Sequence, residues 1–367
     1  MTGFLTHHGV ALEAATAYAW PTPVAALTRL LPWLTATMQP LDVFAPAEVF
    51  AGQSGTLTLT PVARPAAVEC TYPVLYSGQE TLLACAMGYA PHVLGATTFP
   101  AALGGGLLRH RVEHAEQLRA QAWPAEDALT SLLLRRLTVV LGTPTAVYEV
   151  QSGMITGWQL TADGGGLRLA VTYLGAALEP EPTVNTWETV HALDPATAAE
   201  TLTVDLVCRF GPYSATTALD DAALVDVLRV TLRCERPWRV EQSLSSGYAI
   251  AEPSCTGVAR LTGSLTLPWY TAQEHGLLDQ VRAQTLYTLM LEATGRGSPA
   301  PSWRLWAPAC HLDAVTRPWN ATAPTATIPF TVLAPPSVPT WLAPVRYEGR
   351  LVLEWHNTVS DHPLIAP

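Results

Sequence analysis

His110-Arg111-Val112-Glu113-His114 is the run of this chain whose residue types and spacing come nearest to chemistry. It fits the H-x-x-E-H pattern of inverted zinc peptidases. On a helix, His110 and His114 would share a face and could bind zinc, with Glu113 as general base. The flanks, "LGGGLLRHRVEHAEQLRA", offer no third ligand, and the competing reading is a polar strand or short helix with solvated histidines. No G-x-S-x-G elbow, P-loop or paired Cys-His ligand set occurs elsewhere. His7-His8, His275, His311 and His356 are isolated, and Asp220-Asp221 reads as a loop or cap rather than a catalytic dyad. The expectation is no catalytic residue, no cofactor and no metal.

Composition points the same way. The chain has 367 residues, 49% hydrophobic but only 14% charged. That is well below the ~25% charge of an ordinary globular protein. So few charges cannot cover a monomer in the usual manner, which favours burial of much of the surface in an assembly. All 20 basic residues are Arg, against 30 acidic ones, for a net charge of -10. Without Lys there is no Schiff-base chemistry, and the sign of the charge opposes gripping nucleic acid. Six scattered cysteines without C-x-x-C read as reduced, partly buried thiols. The first twenty residues lack a signal-peptide pattern and no apolar run is long enough to span a bilayer, so no membrane is expected.

Period-two alternation predominates, as in 202–210, 228–232, 167–173 and 326–332. Asp163-Gly164-Gly165-Gly166 between two such runs predicts a hairpin turn. Helix is expected only near 79–88, 273–284 and in part of 107–121. "SGTLTLT" (54–60) is echoed by "TGSLTLP" (262–268), and each leads to Tyr-x-x-Gln-Glu, at Tyr76 and at Tyr270. Alternating strands precede both, and long irregular segments, 40–53 and 234–257, lie between. Order and phase predict a diverged tandem duplication.

"ALEAATAYAWPTPVAAL" (11–27), "VARLTGSLTLPWYTAQEHGLLDQV" (258–281) and "YEVQSGMITGWQLTADGGGLRLAVTYLG" (148–175) together resemble the siphophage major tail tube proteins. The resemblance implies a mainly β fold, here two tandem tail-tube-like β-sandwich or barrel domains. Each would carry a short flanking helix, with long loops and extended terminal arms. The expected boundaries are 1–175 for the first domain with its arm, 176–200 for a linker, 201–338 for the second domain and 339–367 for a C-terminal arm.

The resemblance further implies a non-enzymatic virion protein, assembled in the host cytoplasm and located in the tail. It would polymerise with itself into stacked rings and meet terminator, tape measure and distal tail proteins. Double-stranded DNA would pass through the lumen without specific binding. Two units per chain imply three chains per pseudo-sixfold ring. Interface candidates are Trp20, Phe44, Phe50, Trp238, Tyr248, Ile250, Trp341, Tyr347 and Trp355, with Asp205 and Glu292 as acidic lumen candidates. The alternatives are a baseplate hub or distal tail protein, and a carbohydrate-binding β-sandwich.

Overall fold

The computed structural model describes residues 5–13, 21, 23–40, 43–49, 56–63, 66–90, 93–94, 96–115, 136–193, 206–239, 253–268, 283–313, 325–345 and 349–360. Within them, strands form where apolar and hydroxyl side chains alternate, because period two sends each set to one face of the pleat. The first half contains β1 (His7–Leu12), β2 (Thr35–Pro40), β3 (Val43–Val49), β4 (Thr56–Ala63) and β5 (Ala66–Pro73). Helix α1 (Glu80–Met87) follows, then β6 (Leu107–His114), β7 (Leu137–Gly142), β8 (Val147–Asp163) and β9 (Gly166–Gly175). A short helix α2 (Trp187–His191) follows, with Thr186 as its N-cap. The second half contains β10 (Leu206–Pro212), β11 (Arg229–Glu235), β12 (Trp238–Arg239), β13 (Ser254–Cys255) and β14 (Arg260–Pro268). It continues with β15 (Leu286–Thr294), β16 (Ser302–Leu312), β17 (Thr325–Val332) and β18 (Val352–Asn357). The fold is mainly β.

The two halves repeat one strand order. Antiparallel ladders run β1–β7–β8–β9–β5–β2 in the first. They run β10–β15–β16–β17–β14–β11 in the second. Sequence order is repeated as well, down to a hairpin excursion between corresponding strands, β3–β4 in one and β12–β13 in the other. The phase also agrees: Ala66, Val68, Cys70 and Tyr72 turn inward from β5, and Leu261, Leu265 and Leu267 do so from β14.

Two ladders join the halves. The end of β8, Gly157–Ala162, pairs with Val230–Glu235 of β11. Strand β18 lies between β6 and β16 and pairs with both. One core cluster therefore includes Tyr72 and Tyr173 from the first half with Leu232, Phe330 and Trp303 from the second. Buried arginines reinforce the join. Arg236, just past β11, donates to the carbonyls of Ala86 (2.6 Å) and Met87 (3.4 Å) at the C-terminus of α1. Those carbonyls have no partner within the helix, and a cation there also meets the negative end of the helix dipole. Arg111 on β6 bonds Glu354 on β18 at 2.8 Å and the Leu342 carbonyl at 2.7 Å.

Three expectations are corrected. Residues 107–114 are a strand rather than helix, because β18 offers them a full ladder of backbone partners. The segment 40–53 is not wholly irregular, since it holds β3. The echo "SGTLTLT" falls largely in β4, which pairs with β3 in a separate two-stranded ladder. The true counterpart of β14 is β5: both precede the Tyr-x-x-Gln-Glu run, and both pair with equivalent neighbours. The predicted 163–166 turn joins β8 to β9. The helix expected at 79–88 is α1, whereas nearly all of 273–284 lies outside the described residues.

Within 339–367, the expected C-terminal arm, lies β18, whose Leu353 and Trp355 are buried. At the other end, β1 is fastened by His8, which is fully buried. Its Nδ1 lies 2.8 Å from the Val140 carbonyl, which can only accept, so Nδ1 carries the proton. Nε2 then accepts from Tyr72 Oη at 2.6 Å, and Tyr72 in turn meets Tyr173 Oη at 2.8 Å.

Gly263 sits opposite Phe330 across the β14–β17 ladder, where the first half has Val68 opposite Tyr173. A Cβ on Gly263 would overlap the Phe330 ring and come within 2.6 Å of the Thr231 carbonyl oxygen. Gly263→Ala should therefore lower stability by about 1–3 kcal/mol, read from the urea midpoint. A second prediction concerns acid. Burial pushes His8 and His356 down to about 4, and burial with the nearby Arg236 and Arg350 holds His114 well below 6.5. An unfolded histidine takes up its proton near 6.5, so stability should be level above that pH and fall as pH drops from 6.5 towards 4. His8 alone should contribute a slope of up to about 1.4 kcal/mol per pH unit. Urea unfolding at stepped pH should show a shallower slope for His8→Asn.

Candidate assembly surfaces

The H-x-x-E-H run is a structural junction. On strand β6, residues 110 and 114 share one face and 113 takes the other, so the helical ligand geometry does not arise. His110 stacks on Trp355 with ring centroids 5.3 Å apart and planes 4° apart, and its Nε2 lies 2.9 Å from the Val359 carbonyl. Glu113 is fully buried, 3.5 Å from the Arg111 guanidinium. Asp220 caps a short turn through the Ala222 N–H, and Asp221 pairs with Arg209 at 2.8 Å. These side chains secure strands to one another.

A continuous sheet face offers a different kind of surface. The path β2–β5–β9–β8–β11–β14–β17 crosses both halves, and directly opposed residues along it share a face. One row reads Thr71, Ala170, Gln159, Arg233, Thr262, Thr331. The face away from the core is paved mainly with hydroxyls, some bonded across strands, as Thr231 to Ser264 at 2.7 Å and Thr266 to Thr327 at 3.4 Å. Its arginines are largely neutralised. Arg229 and Arg168 flank Asp163 at 3.2 and 3.7 Å, and Arg233 meets Glu235 at 2.6 Å.

The path begins at an open edge. Strand β2 pairs with β5 on one side, and its other side has no strand partner among the described residues. Its inward side chains, Ala36 and Met38, are only partly covered, although both pack on the core.

Of the interface candidates, Trp238 is partly exposed on β12. Trp341 is also partly exposed and donates its Nε1–H to the Ser214 carbonyl at 3.1 Å. Trp355 is inside the chain, with 2% of its surface exposed. Phe44 belongs to β3, opposite Pro61. Trp20, Phe50, Tyr248, Ile250, Tyr347 and the lumen candidate Asp205 lie outside the described residues. Glu292 is on β15, away from the hydroxyl-paved path, between Arg209 at 2.7 Å and Arg304 at 2.6 Å. Burial works to raise its carboxyl, but the two guanidiniums outweigh it and hold the group below the usual carboxylate range.

Sequence reasoning missed the open edge of β2 and the continuity of the hydroxyl face across the halves. The threonines of 325–331 gave a local sign of that face, but only strand pairing shows that β11 and β14 extend it.

No curated protein matches the chain. A family described as phage tail tube protein matches residues 68–332, well over half the sequence. The match begins within β5 and ends at the last residue of β17, so it takes in most of both halves. This chain belongs to the phage tail tube protein family.

Proposed function

We propose that the chain is the major tail tube subunit of a long-tailed phage, a non-enzymatic virion protein made of two homologous β units. Three chains form a pseudo-sixfold ring, and stacked rings make the conduit for double-stranded DNA. The observation that carries this reading is the repeated strand order joined edge to edge at β8–β11. Units of one design joined by strand pairing present the same face and the same excursion in succession, as a ring requires. Head-to-tail contacts of this kind close into rings when the rotation permits. Two units in each of three chains supply the sixfold count.

On this reading the hydroxyl-paved face lines the lumen. Free cations on it would grip phosphate, whereas arginines held by Asp163 and Glu235 leave little net charge to hold DNA. The excursions that hold β3–β4 and β12–β13 leave equivalent places in the two units and carry Phe44, Phe50, Trp238, Tyr248 and Ile250. They are the ring-to-ring contacts, together with the N-terminal segment and the run that carries Trp341 and Tyr347. Assembly takes place in the host cytoplasm, and the tube meets terminator, tape measure and distal tail proteins at its ends and interior.

Electron microscopy of the purified protein should show hollow tubes with a regular ring repeat, and native mass measurement of ring intermediates should give three chains. A permanent monomer would defeat the reading, and single rings that never stack would favour a distal tail or hub component. Asp163→Asn combined with Glu235→Gln should make assembled tubes retain short duplex DNA that the parent tubes release, with retention falling as salt rises.

A further inference from the structure

A second, smaller hydrophobic cluster lies apart from the main core. It consists of Leu27, Leu30, Val140, Val147 and Val190, with Ala11 and Leu193 packed against it. It thus gathers the segment around 27–30, strands β7 and β8, and helix α2. Asn185, just before α2, ties the same pieces together. Its Oδ1 accepts from the Leu27 N–H at 2.8 Å, and its Nδ2 donates to the Ala25 carbonyl at 3.0 Å and to Glu149 at 2.5 Å.

Helix α2 has five residues, too few to hold its shape without tertiary contacts. One more contact fixes it, a stack of three rings. Trp187 lies on His191 with centroids 4.2 Å apart and planes at 24°, and His191 lies on His7 of β1 at 3.9 Å and 47°. The Trp187 Nε1–H donates to the Pro144 carbonyl at 3.0 Å. Gly142 leaves the room for this approach, since a Cβ there would lie 3.0 Å from the His7 Cβ and 3.7 Å from Val190.

Hydrogen bonds fix the proton on Nδ1 of both histidines. His191 Nδ1 is 2.8 Å from the Trp187 carbonyl, which only accepts. The Thr6 hydroxyl donates to the Gly142 carbonyl at 3.3 Å, so it accepts from His7 Nδ1 at 2.8 Å. Each ring is left with an Nε2 lone pair that has no partner among the described residues. The stack is open to solvent, with both histidines partly exposed and Trp187 44% exposed. A proton can therefore reach either ring.

We infer that the Trp187–His191–His7 stack is a proton-operated latch: charging its two histidines releases α2 and uncovers the Leu27–Leu30 cluster while the main core stays closed. The indole face of Trp187 accommodates one charge on His191 by cation–π attraction. A second charge, on His7, meets a like charge at 3.9 Å. Burial and the charge of His191 both lower His7 from 6.5, so the closed form loses stability as pH falls below that value. Strand β7 and the turn 143–146 bring no ionisable side chain to the stack, and the carboxylate of α2 is Glu188. Glu149, near Glu13 and Glu179, is pushed up by burial, so proton uptake there favours the closed form and opening comes from the histidines. His8 points to the other face of β1 and keeps that strand on β7 through the Val140 carbonyl.

Amide hydrogen exchange of the full chain at about pH 7.5 and about pH 5.5, corrected for intrinsic rates, tests the latch. Protection of Leu27, Val190 and Ala192 should fall severalfold at the lower pH, up to about tenfold for each histidine that charges on opening. Amides of Leu160 and Leu232, in the β8–β11 ladder, should keep theirs. His7→Phe keeps a ring in the stack but takes up no proton, so its protection at Leu27, Val190 and Ala192 should be the same at both pH values. Equal protection of those amides in the parent chain at the two pH values would overturn the latch. So would loss of protection at Leu160 and Leu232 in step with them, or a His7→Phe response equal to the parent's. If that variant does not fold, the parent's local and core amides decide.

Discussion

Backbone pairing between Gly157–Ala162 and Val230–Glu235 holds the two units in one sheet, and most of what surrounds it depends on its register. Side chains alternate faces with period two, so a slip of one residue would exchange core and solvent faces. In the observed register Trp158 and Leu160 face the core with Leu232 and Cys234, while Gln159 and Thr161 join the hydroxyl face. The seam thus makes one core and one polar face from two units. It also places Arg236, the next residue after β11, where its guanidinium reaches the end of α1.

The residues that came nearest to a metal site do structural work of the same kind. His110 and Glu113 lie on opposite faces of β6, one against Trp355 and the other beside Arg111. Arg111 fixes the strand to Glu354 and to the Leu342 carbonyl. A buried ion pair stabilises little on average, but leaving either partner alone inside would be costly, which ties the position of β18 to that of β6. In a protein with so few charges, the Arg111–Glu354 pair stands at a join between the two halves.

Much of the fold was legible because alternation is local. The 163–166 turn, the helix after Tyr76 and the strands at 167–173, 228–232 and 326–332 could be read from neighbouring residues alone. The echo misled because Leu-Thr-Leu patterns suit any strand with one apolar and one hydroxyl face. Position in the sheet, not similarity of letters, identifies β5 as the partner of β14. The glycine of "TGSLTLP" records a close approach of Phe330 across the β14–β17 ladder. The β2 edge was illegible for a different reason: it requires knowing which strand lies beside β2.

Strand β18 has a consequence for the order of folding. Arg111 and Glu354 are 243 residues apart in sequence, yet they face each other across a ladder. During synthesis β6 emerges long before β18, and until then one of its edges lacks that partner. The first unit can collapse early, but this part of its sheet waits for the end of the second unit to leave the ribosome. Contacts of such high sequence separation slow folding, and here they make completion of the first unit a report on completion of the second.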